Sequence, residues 1–171
     1  LCQDHTGMLW IGTCDGLDMY NGKTVTVYKP KDNNNILSGN VIDRIVETDP
    51  GILWIQTYYG LNKFDKKNNT LEHFNMFNKI LFTEKDQHSN FFILQEDNSI
   101  YYYQKDEKKF EKINIPGLVF NKVLNLAIDS KNRIWIFNND GTVICFLIQQ
   151  DDSGEITLEK KPGYKHEAAI R

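Results

Sequence analysis

The chain has 171 residues, of which 40% are hydrophobic and 25% charged, and its formal net charge is -3 at pH 7. This composition fits a globular protein of single-domain size and excludes a disordered segment. Basic residues form no cluster, so we expect no nucleic-acid binding by this segment. Apolar runs fall far short of the roughly 20 residues of a transmembrane helix, so we expect no membrane contact here either.

The chain begins inside a repeated pattern. Leu1 lies just before the first copy of a recurring phrase, and neither an initiator Met nor a signal peptide is present. We therefore expect a piece of a longer protein. Any signal, anchor or output domain would then lie outside this piece.

The recurring phrase joins an aspartate, a short turn and a strand that carries a tryptophan. Its copies contain Trp10, Trp54 and Trp135. The first interval is 44 residues and the second is 81, nearly twice as long, which predicts a degenerate copy between them. Residues 86–98 supply that copy, with Phe92 in the place of the tryptophan. A period of roughly 40–50 residues is typical of a stacked-repeat architecture.

Taken in chain order, the predicted units are blades at about residues 1–28, 37–74, 78–113 and 120–160. The first unit starts at its turn and is expected to lack its first strand. In the others, an apolar-rich strand precedes the aromatic strand, and two further strands follow. We predict two-residue hairpins at Asp15-Gly16, Asp97-Asn98 and Asp140-Gly141, because such dipeptides supply positive φ. The last unit carries an insertion around residues 149–154.

Four-stranded meanders joined by long crossovers are the unit of a β-propeller. We therefore predict an all-β fold of about four four-stranded antiparallel blades, with residues 1–171 forming a partial β-propeller from a larger one. The large ring of each phrase is expected to fill the gap between adjacent sheets. A β-solenoid would need shorter and more regular rungs, and a β-sandwich would not repeat the phrase.

The pattern Asp-x-x-Gly-x-Leu-Trp-Ile-Gly-Thr-x-x-Gly-Leu-x-x-Tyr, at residues 4–20, resembles the two-component regulator propeller repeat. The crossover phrase Asn-Ile-Leu-Ser-Gly-Asn-Val-Ile, at residues 35–42, is also similar to that family's connection between blades. This sequence departs from the family pattern at Gln56 and Phe137, where glycine is usual, and at Phe92, where tryptophan is usual. These departures indicate divergent blades of the same fold.

The resemblance implies the periplasmic sensor region of an inner-membrane hybrid two-component system of the Bacteroides type. Its relatives carry many such blades, a histidine kinase and a response regulator with a DNA-binding output. They sense ligands that are commonly oligosaccharides released from glycans. The resemblance thus implies an oligosaccharide or other small ligand as partner, regulation of carbohydrate use, and no enzymatic activity in this segment.

Tyr58 and Tyr59 are the candidate ligand-binding residues. They lie in a predicted turn at the mouth of a hairpin, where we expect them to be exposed and able to stack on sugar rings. The run of tyrosines at 101–103 is a second source of aromatic rings. Strand alternation puts Tyr101 and Tyr103 on one face and Tyr102 on the other, so core packing is favoured there.

The acidic and histidine residues form no catalytic constellation, and we predict no catalytic residue, no metal site and no cofactor. The aspartates of the phrase are periodic, which is typical of turn formers; they are Asp4, Asp49, Asp86 and Asp129. The spacing from Asp49 to Trp54 also matches the Asp-box of sialidase-type propellers, which is a structural hairpin. No metal-ligand spacing relates the four histidines His5, His73, His88 and His166.

The cysteines Cys2, Cys14 and Cys145 also lack metal-ligand spacing. A disulfide between Cys2 and Cys14 is conceivable in an oxidising compartment, although unpaired cysteines are preferred. The redox state therefore stays open.

Two other functional classes remain as alternatives. A propeller enzyme of the lyase or glycoside-processing type would need a metal or acid/base cluster at one end of the ring. A structural or adhesive module would pair through exposed blade edges, since an unpaired sheet edge is a template for association. The open ends of a ring fragment also predict self-association of the isolated chain.

Overall fold

A computed structural model describes residues 1–30, 37–77, 79–113, 115 and 122–165. Within these ranges the chain has no helix and forms four antiparallel sheets of four strands each, in sequential strand order. This confirms the predicted fold class. Residues 35 and 36 of the crossover phrase, and His166, lie outside the described residues.

Each sheet is one blade, and its strands follow the chain. Blade 1 contains β1 (Cys2–Gln3), β2 (Leu9–Thr13), β3 (Gly16–Tyr20) and β4 (Val25–Tyr28). Blade 2 contains β5 (Ile42–Glu47), β6 (Ile52–Thr57), β7 (Gly60–Asp65) and β8 (Thr70–Phe74). Blade 3 contains β9 (Ile80–Lys85), β10 (Phe91–Gln95), β11 (Ile100–Gln104) and β12 (Lys109–Ile113). Blade 4 contains β13 (Val123–Ile128), β14 (Arg133–Asn138), β15 (Thr142–Gln150) and β16 (Ile156–Lys165).

The chain divides into two compact units, Leu1–Thr83 and Glu84–Arg171. Unit 1 contains blades 1 and 2, and unit 2 contains blade 4 and most of blade 3. The boundary falls inside β9.

The first blade differs from its prediction. It does not lack a first strand, because Cys2 pairs with Trp10 and Gln3 with Leu9 to form β1. The strand is only two residues long, too short to leave a periodic pattern in the sequence. Blade 1 therefore has all four strands.

The four aromatic residues of the repeat occupy one structural position. Each lies in the second strand of its blade and faces a residue of the third strand, in the pairs Trp10–Met19, Trp54–Lys63, Phe92–Tyr102 and Trp135–Cys145. The structure thus confirms Phe92 as the counterpart of the tryptophans.

Large rings fill the space between blades 1 and 2. Trp10 is fully buried, and its ring centroid lies 5.7 Å from that of Tyr28 and 5.9 Å from that of Phe64. The centroids of Tyr28 and Phe64 are 5.7 Å apart, which completes a triangle of rings. Because Phe64 belongs to blade 2, this cluster confirms for Trp10 that the ring of the phrase packs between adjacent sheets.

Unit 2 has its own apolar core. In blade 3, Phe110 packs against Phe91 and Tyr103, with centroid distances of 6.4 and 5.1 Å. In blade 4, Ile134 and Phe146 are fully buried. Each unit therefore buries the inward face of its strands, as the alternating pattern predicts.

The aspartates of the repeat make tight turns between the first two strands. The Asp4 N–H donates to the Met8 carbonyl at 3.0 Å, and its own carbonyl accepts from Gly7 N–H at 2.9 Å. The turns at Asp86 and Asp129 repeat both bonds. These three aspartates are turn formers, as predicted.

Blade 2 shifts this turn by one residue. There Thr48, rather than Asp49, donates its N–H to the carbonyl four residues on, that of Ile52, at 3.1 Å. Asp49 accepts from Ile52 N–H at 2.9 Å and so still takes part in the turn. The prediction that Asp49 is the counterpart of Asp4 is wrong, because the blade 2 phrase is one residue shorter between aspartate and tryptophan.

The hairpins between the second and third strands also differ from prediction. In blade 1 the two-residue loop is Cys14 and Asp15, and Gly16 already belongs to β3, paired with Thr13. Gly16 has φ of 126°, and a Cβ there would lie 2.5 Å from the carbonyl oxygen of Tyr28. Glycine is needed here by this close approach and by its positive φ, although the residue lies in a strand. Blades 3 and 4 have longer loops, at residues 96–99 and 139–141.

Candidate functional site

The candidate residues Tyr58 and Tyr59 form the two-residue loop between β6 and β7, here called the tyrosine tip. Thr57 and Gly60 close the loop as a strand pair. Tyr58 is 72% exposed and Tyr59 is 69% exposed, as their turn position predicts. Contact with a ligand stays a prediction.

One threonine holds the tip in shape. Thr57 Oγ1 donates to the Gly60 carbonyl at 3.1 Å and accepts from Tyr59 N–H at 3.3 Å. Blade 1 uses the same arrangement: Thr13 Oγ1 donates to Gly16 O at 2.8 Å and accepts from Asp15 N–H at 3.0 Å. The Thr-x-x-Gly part of the repeated phrase is therefore a hairpin lock.

A buried network ties this lock to the crossover from blade 1. Asn62 is fully buried; its Nδ2 donates to Ser38 Oγ at 2.8 Å, and its Oδ1 accepts from Ser38 N–H at 2.9 Å. Ser38 Oγ lies 2.8 Å from Thr57 Oγ1. Because the Thr57 hydroxyl already donates to the Gly60 carbonyl, Ser38 Oγ is the donor in its bond to Thr57 Oγ1. Tyr58 N–H also donates to the Val41 carbonyl at 3.1 Å, so the crossover supports the tip twice.

His73 completes the network at its far side. Its Nδ1 lies 2.8 Å from Asn62 Oδ1, and burial lowers the pKa of its imidazole. His73 as a whole is exposed, and a neutral ring is favoured there, which suits a hydrogen-bonding role beside Asn62 rather than a charged one.

The two rings of the tip diverge. Their centroids are 5.0 Å apart and their planes meet at 84°, an edge-to-face contact. Gly39 lies directly under Tyr59, because a Cβ at Gly39 would be 2.9 Å from Tyr59 Cδ2. The crossover glycine therefore sets where the Tyr59 ring can lie.

A cleft lies on each side of the tip, and both belong to unit 1. The Tyr59 cleft, of about 430 Å³, is lined by Tyr59 and by residues that include Asp15, Lys29, Ser38 and Asn40. The Tyr58 cleft, of about 300 Å³, is lined by Tyr58 and by residues that include Asp43, Phe77, Lys79 and Ile80. Both volumes suit small-molecule sites, which run from about 300 to 1,000 Å³.

The first-to-second strand turns of unit 1 carry a different polar cluster. Asp4 accepts hydrogen bonds from Thr6 N–H (2.9 Å), Thr6 Oγ1 (2.6 Å) and Trp10 Nε1 (2.8 Å), and it forms an ion pair with Lys66 of blade 2. Burial alone would raise the pKa of Asp4, but the hydrogen bonds from Lys66, Thr6 and Trp10 outweigh it and hold that pKa well below its usual range. An acid held so firmly as a carboxylate is suited to a clamp and not to proton transfer.

A second pair strengthens this clamp. His5 N–H donates to Glu47 Oε2 at 2.7 Å, and His5 Nδ1 lies 2.7 Å from Glu47 Oε1. Glu47 also accepts from Gly51 N–H at 2.9 Å. The two pairs, Asp4 with Lys66 and His5 with Glu47, therefore join blade 1 to blade 2.

The other predicted aromatic run lies in the core. Tyr102 is 3% and Tyr103 is 4% exposed, whereas Tyr101 is half-buried. The Tyr102 hydroxyl donates to Glu111 Oε2 at 2.8 Å and accepts from Ile156 N–H at 3.3 Å. Burial, and then the bond to Glu111, raise the pKa of Tyr102 to about 12. Core packing, which the sequence favoured, is confirmed for Tyr102 and Tyr103.

The remaining candidates from the sequence are a metal site, a disulfide and the insertion in blade 4. No group of three or more His, Cys, Asp or Glu side chains is arranged there to hold a metal ion. Across the described ranges no disulfide joins the three cysteines. The insertion in blade 4 is a hairpin turn in which Asp151 accepts from Ser153 N–H at 2.9 Å and from Glu155 N–H at 3.0 Å. The described residues contain no helix with the length and apolarity that a membrane span requires.

Sequence reasoning missed the residues that support the tip, namely Ser38, Gly39, Asn62 and His73. A signal for two of them was present, since Ser38 and Gly39 belong to the crossover phrase. Asn62 and His73 had none, because their partners lie on other strands.

Comparison with known proteins places the fold. No protein-family profile matches the chain, and no curated protein matches it significantly. The extracellular domain of the hybrid two-component system BT3049 from B. thetaiotaomicron matches with a TM-score of 0.70 at 16% identity, over 92% of this chain and 26% of that one. The extracellular domain of BT4673, from the same organism, gives 0.66 at 17%, over 92% and 27%. The WD40 β-propeller domain of Doa1 gives 0.60 at 12%, over 89% and 50%.

The chain thus spans about a quarter of the length of the two B. thetaiotaomicron domains, 26% and 27%. At these identities the similarity establishes the fold and not the function. The four described sheets are blades of the β-propeller type.

Proposed function

We propose that this chain is a ligand-sensing segment of the periplasmic region of a hybrid two-component histidine kinase and response regulator. Its ligands would be glycan-derived oligosaccharides, and its output would be the control of carbohydrate-use genes. Two observations support the assignment: the repeat at residues 4–20 resembles the family's propeller repeat, and extracellular domains of two such systems share the fold. The segment itself would bind and would not catalyse.

The tyrosine tip is the observation that carries the ligand proposal. Two large rings, each more than two-thirds exposed, stand on a hairpin that a buried network holds in place. Exposed aromatic rings on a rigid support are typical of binding sites, because they give a large contact area at low conformational cost. The carboxylates and amines that line both clefts can accept from and donate to hydroxyl groups.

Signalling would follow from the link between the tip and the crossover. A ligand that displaces the Tyr59 ring would also displace Gly39, which lies under that ring, and Ser38, which is hydrogen-bonded to Thr57 in the same hairpin. Both residues belong to the connection between blades 1 and 2. Ligand binding would then favour one arrangement of that connection over another, which is how differential affinity shifts a conformational population.

Calorimetric titration of the 171-residue chain would test binding. The probes are linear neutral oligosaccharides of one to six units, built from glucose, xylose, mannose or arabinose. We expect at least one series to bind, and the double substitution Tyr58→Ala with Tyr59→Ala to weaken that binding by about tenfold or more.

The control variant is Phe137→Ala, which removes an aromatic ring that is 37% exposed in β14 of unit 2. It should leave affinity unchanged. Failure of every series to bind, or full affinity in the double variant, would contradict the ligand proposal. Conversion of a bound oligosaccharide would instead favour a propeller enzyme.

The system-level proposal has a separate test. The genomic reading frame that contains this chain should continue into a transmembrane span and a histidine-kinase sequence. A frame without either would exclude the two-component assignment and leave the binding proposal to stand alone.

A further inference from the structure

The geometry of the tyrosine tip limits what shape of ligand can use both rings. The planes of Tyr58 and Tyr59 meet at 84°, and their centroids are only 5.0 Å apart. A flat single ring that stacks on one tyrosine is therefore nearly perpendicular to the face of the other. No single sugar ring can stack on both.

The surroundings of the two rings repeat the same chemistry on both sides. The Tyr59 cleft presents the carboxylate of Asp15 and the ammonium of Lys29, which form an exposed ion pair. The Tyr58 cleft is lined by Asp43 and Lys79, whose side chains carry a carboxylate and an ammonium group. Each side thus combines an aromatic face with a hydrogen-bond acceptor and a donor, which is what a polyhydroxylated ring requires.

We propose that the tyrosine tip divides the site into two subsites, each of which takes one ring of a linear oligosaccharide that bends over the tip. This rests on the proposed function and deepens it, because it sets the ligand class as a chain of at least two sugar units. Adjacent units of such a chain can rotate about their linkage, so that one faces Tyr58 and the next faces Tyr59.

The structure offers a way to disturb the tip without removing a ring. A methyl group at Gly39 would lie 2.9 Å from Tyr59 Cδ2 and 3.1 Å from Thr57 Oγ1. Gly39→Ala should therefore displace the Tyr59 ring, and it should also shift Thr57, which lines the Tyr58 cleft. The position does not carry a positive φ that alanine would strain, unlike Gly22, for which φ is 92°.

The test is a titration of the 171-residue chain with each oligosaccharide series of one to six units. Binding is measured by calorimetry and by NMR of the tyrosine rings. We expect two units to bind about tenfold or more tighter than one unit, with little further gain for longer chains. Tyr58→Ala and Tyr59→Ala should each abolish this gain, and Gly39→Ala should reduce it as Tyr59→Ala does. Ring signals of both tyrosines should shift with two units.

The possible outcomes separate this inference from the proposed function. If no series binds, both fail. If one unit binds as tightly as two, or if only one tyrosine signal shifts at saturation with the longer ligand, the two-subsite inference is overturned while the binding function stands. Folding of each variant is checked by its thermal unfolding, and loss of the two-unit gain with an unchanged melting temperature supports the inference.

Discussion

Asn90 donates its Nδ2–H to Asp86 Oδ2 at 2.9 Å, in the blade where Phe92 replaces tryptophan. In blades 1 and 4 the tryptophan makes this bond: Trp10 Nε1 donates to Asp4 and Trp135 Nε1 donates to Asp129, at 2.8 and 2.9 Å. A phenylalanine has no N–H to donate. The asparagine supplies the missing donor, so the divergent blade keeps its aspartate satisfied.

The substitution Asn90→Ala tests this compensation. Asp86 is 4% exposed, so loss of the donor leaves a buried carboxylate oxygen with one hydrogen bond fewer. We expect a loss of about 1–3 kcal/mol in the free energy of unfolding, measured by urea denaturation. The control is Asn68→Ala, which removes a hydrogen bond to Asp65 in an exposed turn. It should lower the free energy of unfolding by no more than about 0.5–1 kcal/mol. Equal losses in the two variants would show that Asn90 has no special role.

The clamp between blades 1 and 2 predicts a large effect of Asp4→Asn. Its carboxylate is fully buried beside Lys66, so the change leaves a mostly buried ammonium without its counter-charge. We expect a loss of about 3–5 kcal/mol at pH 7. The matched variant Asp129→Asn removes a carboxylate that is 26% exposed and pairs with Arg133, and should cost about 1–3 kcal/mol.

The same variant carries a pH signature. The pKa of Asp4 is lowered on folding, so its contribution is complete above the ordinary aspartate pKa of 3.8 and is lost as the pH falls toward the folded value. The difference between the wild-type chain and Asp4→Asn should therefore shrink in denaturation series taken from pH 7 to pH 3. A difference that stays constant over this range would contradict the clamp.

Gly16→Ala and Gly22→Ala separate a steric clash from backbone strain. Both glycines have positive φ, but a Cβ at Gly16 would lie 2.5 Å from the Tyr28 carbonyl oxygen, whereas a Cβ at Gly22 would have no atom of the described residues within 4 Å. We expect Gly22→Ala to cost about 1 kcal/mol and Gly16→Ala at least about 2 kcal/mol more, from thermal unfolding. Similar costs for the two variants would mean that β3 and β4 move apart easily enough to relieve the clash at Gly16.

Tyr102 should titrate far above a free tyrosine. Its folded pKa is raised to about 12, first by burial and then by its bond to Glu111. Because the neutral phenol is favoured on folding, its contribution is complete below pH 10 and is lost as the pH rises through the folded value. NMR of the tyrosine rings would follow this directly. Titration of Tyr102 near pH 10 in the folded chain would refute the buried contact.

Self-association of the isolated chain remains a prediction from sequence, and blade 1 offers an edge for it. Strand β4 ends its sheet, and Val25 and Val27 on one face of it are 55% and 47% exposed. Light scattering should show a mass that rises with concentration, and Val25→Lys should reduce the rise, since a charged edge resists pairing. The control Met76→Lys adds the same charge outside the strands. A wild-type chain that stays monomeric at high concentration would exclude self-association.

Much of the fold could be predicted because its determinants are local and periodic. Three of the turn aspartates and the ring at Phe92 follow from spacing, and the exposure of Tyr58 and Tyr59 follows from their position in a turn. Their roles depend on residues close in sequence. The same reasoning failed by one residue at Asp49, where a shortened turn moved the hydrogen bond to Thr48.

The support of the candidate site could not be predicted in this way. Ser38 and Asn62 are 24 residues apart, and Asp4 and Lys66 are 62 apart. Neither pair follows a repeat period, and each depends on which blades become neighbours. Such contacts are visible only once the sheets are placed side by side.

The clamp between blades 1 and 2 also bears on how a chain of this kind can evolve. Its halves come from different repeats, since Asp4 and His5 precede β2 while Glu47 and Lys66 belong to the next blade. A blade that was deleted, duplicated or exchanged at this position would separate a buried charge from its partner. Although the repeats share one phrase, the order of blades 1 and 2 is therefore fixed by the charged side chains of the clamp between them.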